Sequence, residues 1–418
     1  MKKLLSILLI LALICVPLAA CGGEDSPGGG SGEGGGGGGG DVPHSGDVTL
    51  TLWGGEEDQV MLKARADAFK ALHADEVNLT IIIGVESESS AKDTILIDPQ
   101  AAADVFAFPD DQIMELYIAG VLQEVLINAN EIKAANLQVS VNAATVDGKL
   151  MAYPLTADNG YIMFYDSTYF TEDDVKTFDG MLAVAEAAGK KVAMQMGQWS
   201  AWYNIGFFRG AGFDAWLADD GVSTVTNINE AGGTNVVQAM LDIAKHAGFS
   251  SMVDDEFVTG INDGSVIAGI SGPWNSNNAR SAWGENYAAA KLPTFTLAGA
   301  QVQMGGVLGC KLIGVNSFSE NAGWAMRLAE FLTNYESQVI RFEERAQGPT
   351  NIQASNSPEV QSDPSLAAIA IQSQFSSIFM PGGNYWGPME TLGEIIVQGN
   401  PDGVDLQTLL DNAVAGMS

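Results

Sequence analysis

The chain has 418 residues, 46% of them hydrophobic, and a formal net charge of −32 set by 51 acidic and only 19 basic residues. That balance argues against nucleic acid and against a polybasic membrane patch, and it disfavours an anionic ligand. Once an N-terminal leader is set aside, about 400 residues remain, which predicts two lobes rather than one core.

Lys2-Lys3 is followed by an apolar run from Leu4 to Val16 and then by Leu18-Ala19-Ala20-Cys21. A short positive region, an apolar stretch of about 7–15 residues and small residues at a cut site read as a secretory signal, residues 1–20. The run is too short for a spanning helix, which needs about 20 apolar residues. The cysteine after the small residues resembles a lipobox, which implies cleavage before Cys21 and a diacylglycerol on its thiol. Residues 21–46 are almost all Gly, Ser, Glu, Asp and Pro. Such a segment has nothing apolar to bury and reads as a tether with a reach of roughly 25–30 Å.

Cys15 leaves with the signal and Cys21 carries lipid, so Cys310 has no partner for an intrachain disulfide. It sits in the apolar run Gly306 to Gly314, which reads as a strand, and is expected to be a small buried hydrophobe. The histidines, His44, His73 and His246, have no Cys or His at ligand spacing, so no metal site is expected. No cofactor is expected either.

From Val48 onward strands alternate with helices. Val48 to Trp53 reads as a strand closed by Gly54-Gly55, and a helix carrying Met61, Leu62, Ala68, Phe69 and Leu72 follows. Further strands are predicted at Val77 to Val85 and Asp104 to Phe108, and a hairpin turns at Asp147-Gly148. Helical spacing recurs at Val236, Met240, Ile243 and Ala244, then at Trp324, Leu328, Phe331 and Tyr335. The last helices span Met389 to Val397 and Leu406 to Val414. The alternation indicates an α/β architecture.

Three strand ends combine turn residues with aromatics and carboxylates: Trp53-Gly54-Gly55-Glu56-Glu57, Tyr153-Pro154 through Asp158-Asn159-Gly160, and Ile270-Ser271-Gly272-Pro273-Trp274-Asn275. In open α/β sheets ligands bind beyond the carboxyl ends of strands. Aromatics cluster again in Trp199-Ser200-Ala201-Trp202-Tyr203 and in Asn384-Tyr385-Trp386-Gly387. Tryptophan stacks on the C–H face of a pyranose, and Asp, Glu and Asn accept from its hydroxyls, so this residue set points to sugar.

These motifs carry a resemblance. Ile270-Ser271-Gly272-Pro273-Trp274 with Lys291-Leu292-Pro293, Asp147-Gly148-Lys149-Leu150-Met151-Ala152-Tyr153-Pro154, and Ala329 to Asn334 ahead of Gln347-Gly348-Pro349 resemble extracellular solute-binding proteins of the maltose/maltodextrin-binding type. Those are the substrate receptors of ABC importers. The resemblance covers roughly Val48 to Ser418. It implies a two-lobe periplasmic-binding-protein-like fold of type II, with hinge strands and a ligand cleft between the lobes. The lobes would comprise residues 47–156 plus 305–355 and residues 157–304 plus 356–418.

It also implies roles. Trp274 and Trp386 match stacking tryptophans, Phe108 falls where the family carries another, and Asp111 falls on a hydroxyl-binding aspartate. Asp158 falls on a binding glutamate past the hinge, and Glu56 and Glu57 replace an acid–base pair. Gln112 and Glu390 stand where the family has arginines, and Trp199 where it has a glutamate. Trp53, Asn159 and Trp202 complete the candidate set. The function implied is capture of a neutral, maltodextrin-like oligosaccharide without catalysis by a monomer, which hands it to permease subunits from a lipid anchor on the extracytoplasmic face. No Arg or Lys lies among the candidates, though Arg280 and Lys291, distant in sequence from the cleft motifs, could fold into the cleft. Two rivals stay open: a receptor for a non-sugar solute such as a polyamine, and a glycoside hydrolase using a pair among Asp111, Asp158 and Glu57.

Overall fold

The computed structural model describes residues 46–417; Cys21 and its tether lie outside them. Ten strands form two five-stranded sheets. In chain order they are β1 (Asp47–Gly54), β2 (Asn78–Val85), β3 (Val105–Pro109), β4 (Tyr153–Thr156), β5 (Ile162–Asp166), β6 (Lys191–Met194), β7 (Phe249–Ser251), β8 (Val266–Ser271), β9 (Tyr287–Ala290) and β10 (Lys311–Val315).

The first sheet has the order β2-β1-β3-β10-β4. β1 runs parallel to β2 and β3, whereas β10 is antiparallel to both β3 and β4. In β1 the alternation places Val48, Leu50 and Leu52 inward. The helix Gln59–Leu72 covers them with Met61, Leu62, Arg65, Ala66 and Phe69, while Ala68 and Leu72 are exposed. Arg65 replaces them on the inner stripe because its guanidinium lies 4.4 Å from the Phe331 ring centroid and bonds Glu336 at 2.9 Å. The second sheet has the order β7-β6-β8-β5-β9. β5 is buried along nearly its whole length, with Met163 and Tyr165 in one core cluster and Ile162 and Phe164 in another, so both faces of this sheet are covered.

The hairpin at Asp147-Gly148 forms as expected. Thr145–Val146 pairs with Lys149–Leu150, and Asp147 (φ 51°) and Gly148 (φ 78°) both take the left-handed conformation that a two-residue turn requires. The run Gly306 to Gly314 is not one strand. Gly306–Leu308 pairs with Ser376–Ile378, whereas β10 begins at Lys311. Cys310, at the break, is buried and free. Tyr335 does not extend the helix Ala322–Thr333; Asn334 caps a new helix, Tyr335–Arg345, by accepting from Ser337 N.

The core of the first sheet is separate from the two clusters that cover the second, and three chain crossings join them. Leu155 belongs to the first core and Tyr161 to the second; Val307 packs in the second and Cys310 in the first. The third crossing runs from the helix Tyr335–Arg345 to Ala368 and Ile369. The crossings are tied together: Ala157 N donates to Gly348 O at 2.9 Å and Asn159 N to Gly309 O at 3.1 Å. The approach at Gly348 is close: a Cβ there would sit 3.1 Å from the Asp158 Cβ, so Asp158 would have to shift by a few tenths of an ångström. This is a two-lobe α/β fold with its hinge at the crossings. Among the described residues no helix is long and apolar enough to cross a membrane.

Candidate functional site

A cavity of about 1070 Å³ lies between the two cores. That is the upper end of what drug-sized ligands occupy. Its first-lobe wall is built by the ends of β1, β2 and β3. β1 delivers Gly55 and Glu57, the turn after β2 delivers Ser87 to Ser90, and β3 delivers Asp111 and Gln112. The second-lobe wall is aromatic: Trp199, Trp202, Tyr203, Trp274 and Trp386 all line it.

Each tryptophan is placed by its own local geometry. β8 stops at Gly272-Pro273, where a short turn of helix swings Trp274 out. Trp274 lies 5.9 Å from Trp202, ring to ring, and Trp202 packs edge-on against Tyr161 at 4.8 Å. Trp386 opens the helix Trp386–Val397 and is wedged edge-on against Tyr385 and Phe379. Trp199 is 60% exposed and has φ 51°, a conformation uncommon for a bulky residue. Its carbonyl is held by Gln195 Nε2 at 2.6 Å.

The polar residues are less uniform. Asn159 is buried and lines the cavity, and Gln112 donates to Ser89 O at 2.8 Å. Burial pushes the Asp111 carboxyl up to about 6 and raises that of Glu390, which also faces Glu394. Glu57 points toward Arg345 at 3.5 Å. Behind it lies a buried cluster: Arg341 bonds Asp58 at 2.8 Å and Gln347 at 2.8 Å, and Arg345 bonds the other Asp58 oxygen at 2.8 Å. Burial works against the Asp58 charge, but the two guanidiniums hold its carboxyl below the usual range.

Nine of the thirteen candidate residues therefore line one cavity: Glu57, Asp111, Gln112, Asn159, Trp199, Trp202, Trp274, Trp386 and Glu390. Four do not. Phe108 is fully buried, pairs with Leu312 across β3 and β10, and packs against Phe106 at 5.6 Å. Trp53 packs against the first core beside Gly84, and Glu56 is exposed outside the cavity. Asp158 is buried in the hinge, where it accepts from Gly348 N at 2.5 Å. It ties two crossings instead of facing the cavity.

The family model described as bacterial extracellular solute-binding protein matches residues 64–368. The chain belongs to that family. This solute-binding protein is 25% identical over 419 aligned positions to the galactooligosaccharide-binding protein of Bacillus subtilis (strain 168), covering 96% of this chain and 94% of the relative. Among solved structures it resembles the maltodextrin-binding protein of L. casei BL23, at 27% identity and TM-score 0.73, covering 89% and 99% of the two chains. It also resembles the maltotriose-binding protein of Thermus thermophilus, at 23% identity and TM-score 0.75, covering 88% and 98%; at that identity the likeness is one of fold.

Sequence reasoning missed several residues of this solute-binding protein's cleft. Asp254 and Asp255 line it, and so do Lys92 and Lys311, although Arg280 and Lys291 do not. Arg280 is bound to Asp363 at 2.8 Å and Lys291 Nζ lies 5.4 Å from the Phe375 ring. Lys92 is taken up by Glu115 at 3.0 Å and Lys311 by Glu88. Burial opposes the Lys311 charge, but the Glu88 carboxylate outweighs it and keeps the ammonium protonated. Asp254 accepts three bonds, from Trp274 Nε1 at 2.9 Å, Ser271 Oγ at 3.0 Å and Asn275 Nδ2 at 3.0 Å. It pins the indole from behind.

Proposed function

We propose that the protein is the substrate-binding component of an ABC importer and captures an oligosaccharide that carries no acidic group. The observation that carries this reading is the cavity itself, with tryptophans along the second-lobe wall and carboxylates and amides on both walls. Aromatic rings take the apolar face of a sugar, and acceptors take its hydroxyl rim. Both cleft lysines are already neutralised by carboxylates, so a uronate or phosphate would meet like charge without compensation. The galactooligosaccharide and maltodextrin binders among its relatives support the same ligand class.

In this reading residues 47–156 and 305–355 form one lobe and residues 157–304 and 356–418 the other, except that Gly306–Leu308 pair with Ser376–Ile378 and belong with the second. They close on the ligand by shifting a pre-existing open–closed equilibrium. The protein works as a monomer without turnover, delivers sugar to permease subunits, and is held to the extracytoplasmic face by lipid on Cys21. The lipobox-like Leu18-Ala19-Ala20-Cys21 supports the anchor. Calorimetric titration with maltotriose, β-galactotriose and matched acidic oligosaccharides tests the reading, with product analysis alongside. Binding of a neutral trisaccharide without cleavage is expected; tighter binding of an acidic member, or turnover of any, overturns it.

A further inference from the structure

The cleft has more negative charge than its own cations can balance. Lys92 contacts Glu115 and Asp93, Lys311 contacts Glu88, and Arg345 reaches Glu57. Asp111, Asp254, Asp255 and Glu390 also line the cavity, and among the described residues none of the four has a cation at ion-pairing distance. Of these only Asp255 is exposed; the others are partly withdrawn from water. Two further observations point to the missing partner. Gln112 Oε1, beside Asp111 on the first-lobe wall, is buried and accepts from no donor. The Trp274 ring already receives a cation, with Lys311 Nζ 5.3 Å from its centroid.

We propose that the cleft selects an oligosaccharide bearing a protonated amine, an aminodeoxy sugar, over the same oligosaccharide with a hydroxyl at that position. The inference rests on the oligosaccharide reading above and narrows its ligand class. A carboxylate drawn out of water without a counter-charge is costly, and a neutral sugar leaves that cost in place. An ammonium removes it, because charge-assisted hydrogen bonds are roughly twice as strong as neutral ones. An ammonium over an indole face gains cation–π attraction as well. The upward displacement of the Asp111, Asp254 and Glu390 carboxyls by burial agrees with a pocket short of positive charge.

The test uses the full mature chain, calorimetry, and two parent trisaccharides, maltotriose and β-galactotriose. Each is compared with its 6-amino-6-deoxy and 2-amino-2-deoxy derivatives and with the N-acetylated form of each derivative. At least one amine is expected to bind about fivefold or more tighter than its parent at low salt, the difference between charged and neutral hydrogen bonds. Acetylation should abolish that gain and 0.5 M salt should shrink it, as screening of exposed charge requires (~4 Å Debye length at that salt). The amine-to-parent affinity ratio should fall toward one in the combined variant Asp111→Asn, Asp255→Asn, Glu390→Gln, whatever happens to the parent's own affinity; the three single variants serve if the combination fails to fold. If no amine outbinds its parent, or if the ratio survives both salt and the substitutions, the inference is wrong while the oligosaccharide reading stands. If no sugar binds, aminated or not, and spermidine does, the oligosaccharide reading itself falls.

Discussion

Replacing Asp254 with alanine tests whether the cleft is built by positioning its tryptophan. The carboxylate accepts from Trp274, Ser271 and Asn275 at 2.9–3.0 Å. In Asp254→Ala, Asn275 Nδ2 still donates to Ser271 Oγ at 2.9 Å, so the donors that lose their acceptor are the indole N–H and the Ser271 hydroxyl, and only the hydroxyl can rotate to seek another. A hydrogen bond to a charged acceptor contributes about 1.5–3 kcal/mol. Part of this is returned, because burial raises the Asp254 carboxyl and its removal relieves that desolvation. The net loss of stability should be about 1–2 kcal/mol. Ligand then has to order a free indole, at about 0.5–1.5 kcal/mol for one immobilised side chain, which weakens Kd by roughly 2- to 12-fold. Asp254→Asn keeps an acceptor for Trp274 and should lose less. Calorimetry with the best-binding trisaccharide and denaturant unfolding read the two effects separately. An alanine variant that binds like the parent protein, with an unchanged indole emission spectrum on titration, would refute the positioning argument.

Trp274→Ala should weaken sugar binding by about 1–3 kcal/mol, the worth of a large apolar surface, and leave the protein folded, since the ring is only half-buried; calorimetry and circular dichroism check both halves. Arg341→Met should destabilise the protein by about 3 kcal/mol in urea unfolding, the low end for a broken buried pair, because Arg345 still bonds Asp58. Burial, helped by the charge of Asp111, pushes the Asp110 carboxyl up to about 8. The native state then holds a proton that the unfolded chain has lost, so stability falls as pH rises from 6 to 8, by about 1.4 kcal/mol per unit at most from this group, and Asp110→Asn should flatten that slope. Cys21→Ser should release the protein from membranes into the medium; a variant that stays in the membrane fraction with the same N-terminus sinks the anchor.

What was legible in the sequence was local. Gly272-Pro273 punctuates β8 and announces Trp274, and Asp147-Gly148 announces its own turn, because both signals sit within a few residues of their effect. Phe108 was not legible as core: β3 is covered on both faces, its pairing residue Leu312 comes from β10, and no alternation marks which face meets the ligand. Asp158 sits beside Asn159 in a turn, yet only Asn159 reaches the cavity, because Gly348 from the third crossing captures the aspartate. Asp254 and Lys311 were invisible for the same reason. Their partners, Trp274 and Glu88, are brought to them by tertiary packing, and one of the two lies inside an apolar run that reads as plain strand.

The place of β10 in the first sheet also governs when that sheet can exist. It lies between β3 and β4, and β4 has no other neighbour in the sheet. A chain made from its N-terminus therefore carries β1 to β3 with an open edge and β4 unpaired while all of β5 to β9 is still being added. Pairing across so long a separation is slow, because the loop must close before any contact rewards it. Completion of the first sheet therefore has to wait for β10, and with it the wall of the cleft that the ends of β1 to β3 build. The same strand order that shapes one wall of the cleft thus makes that wall depend on one of the last strands to be added.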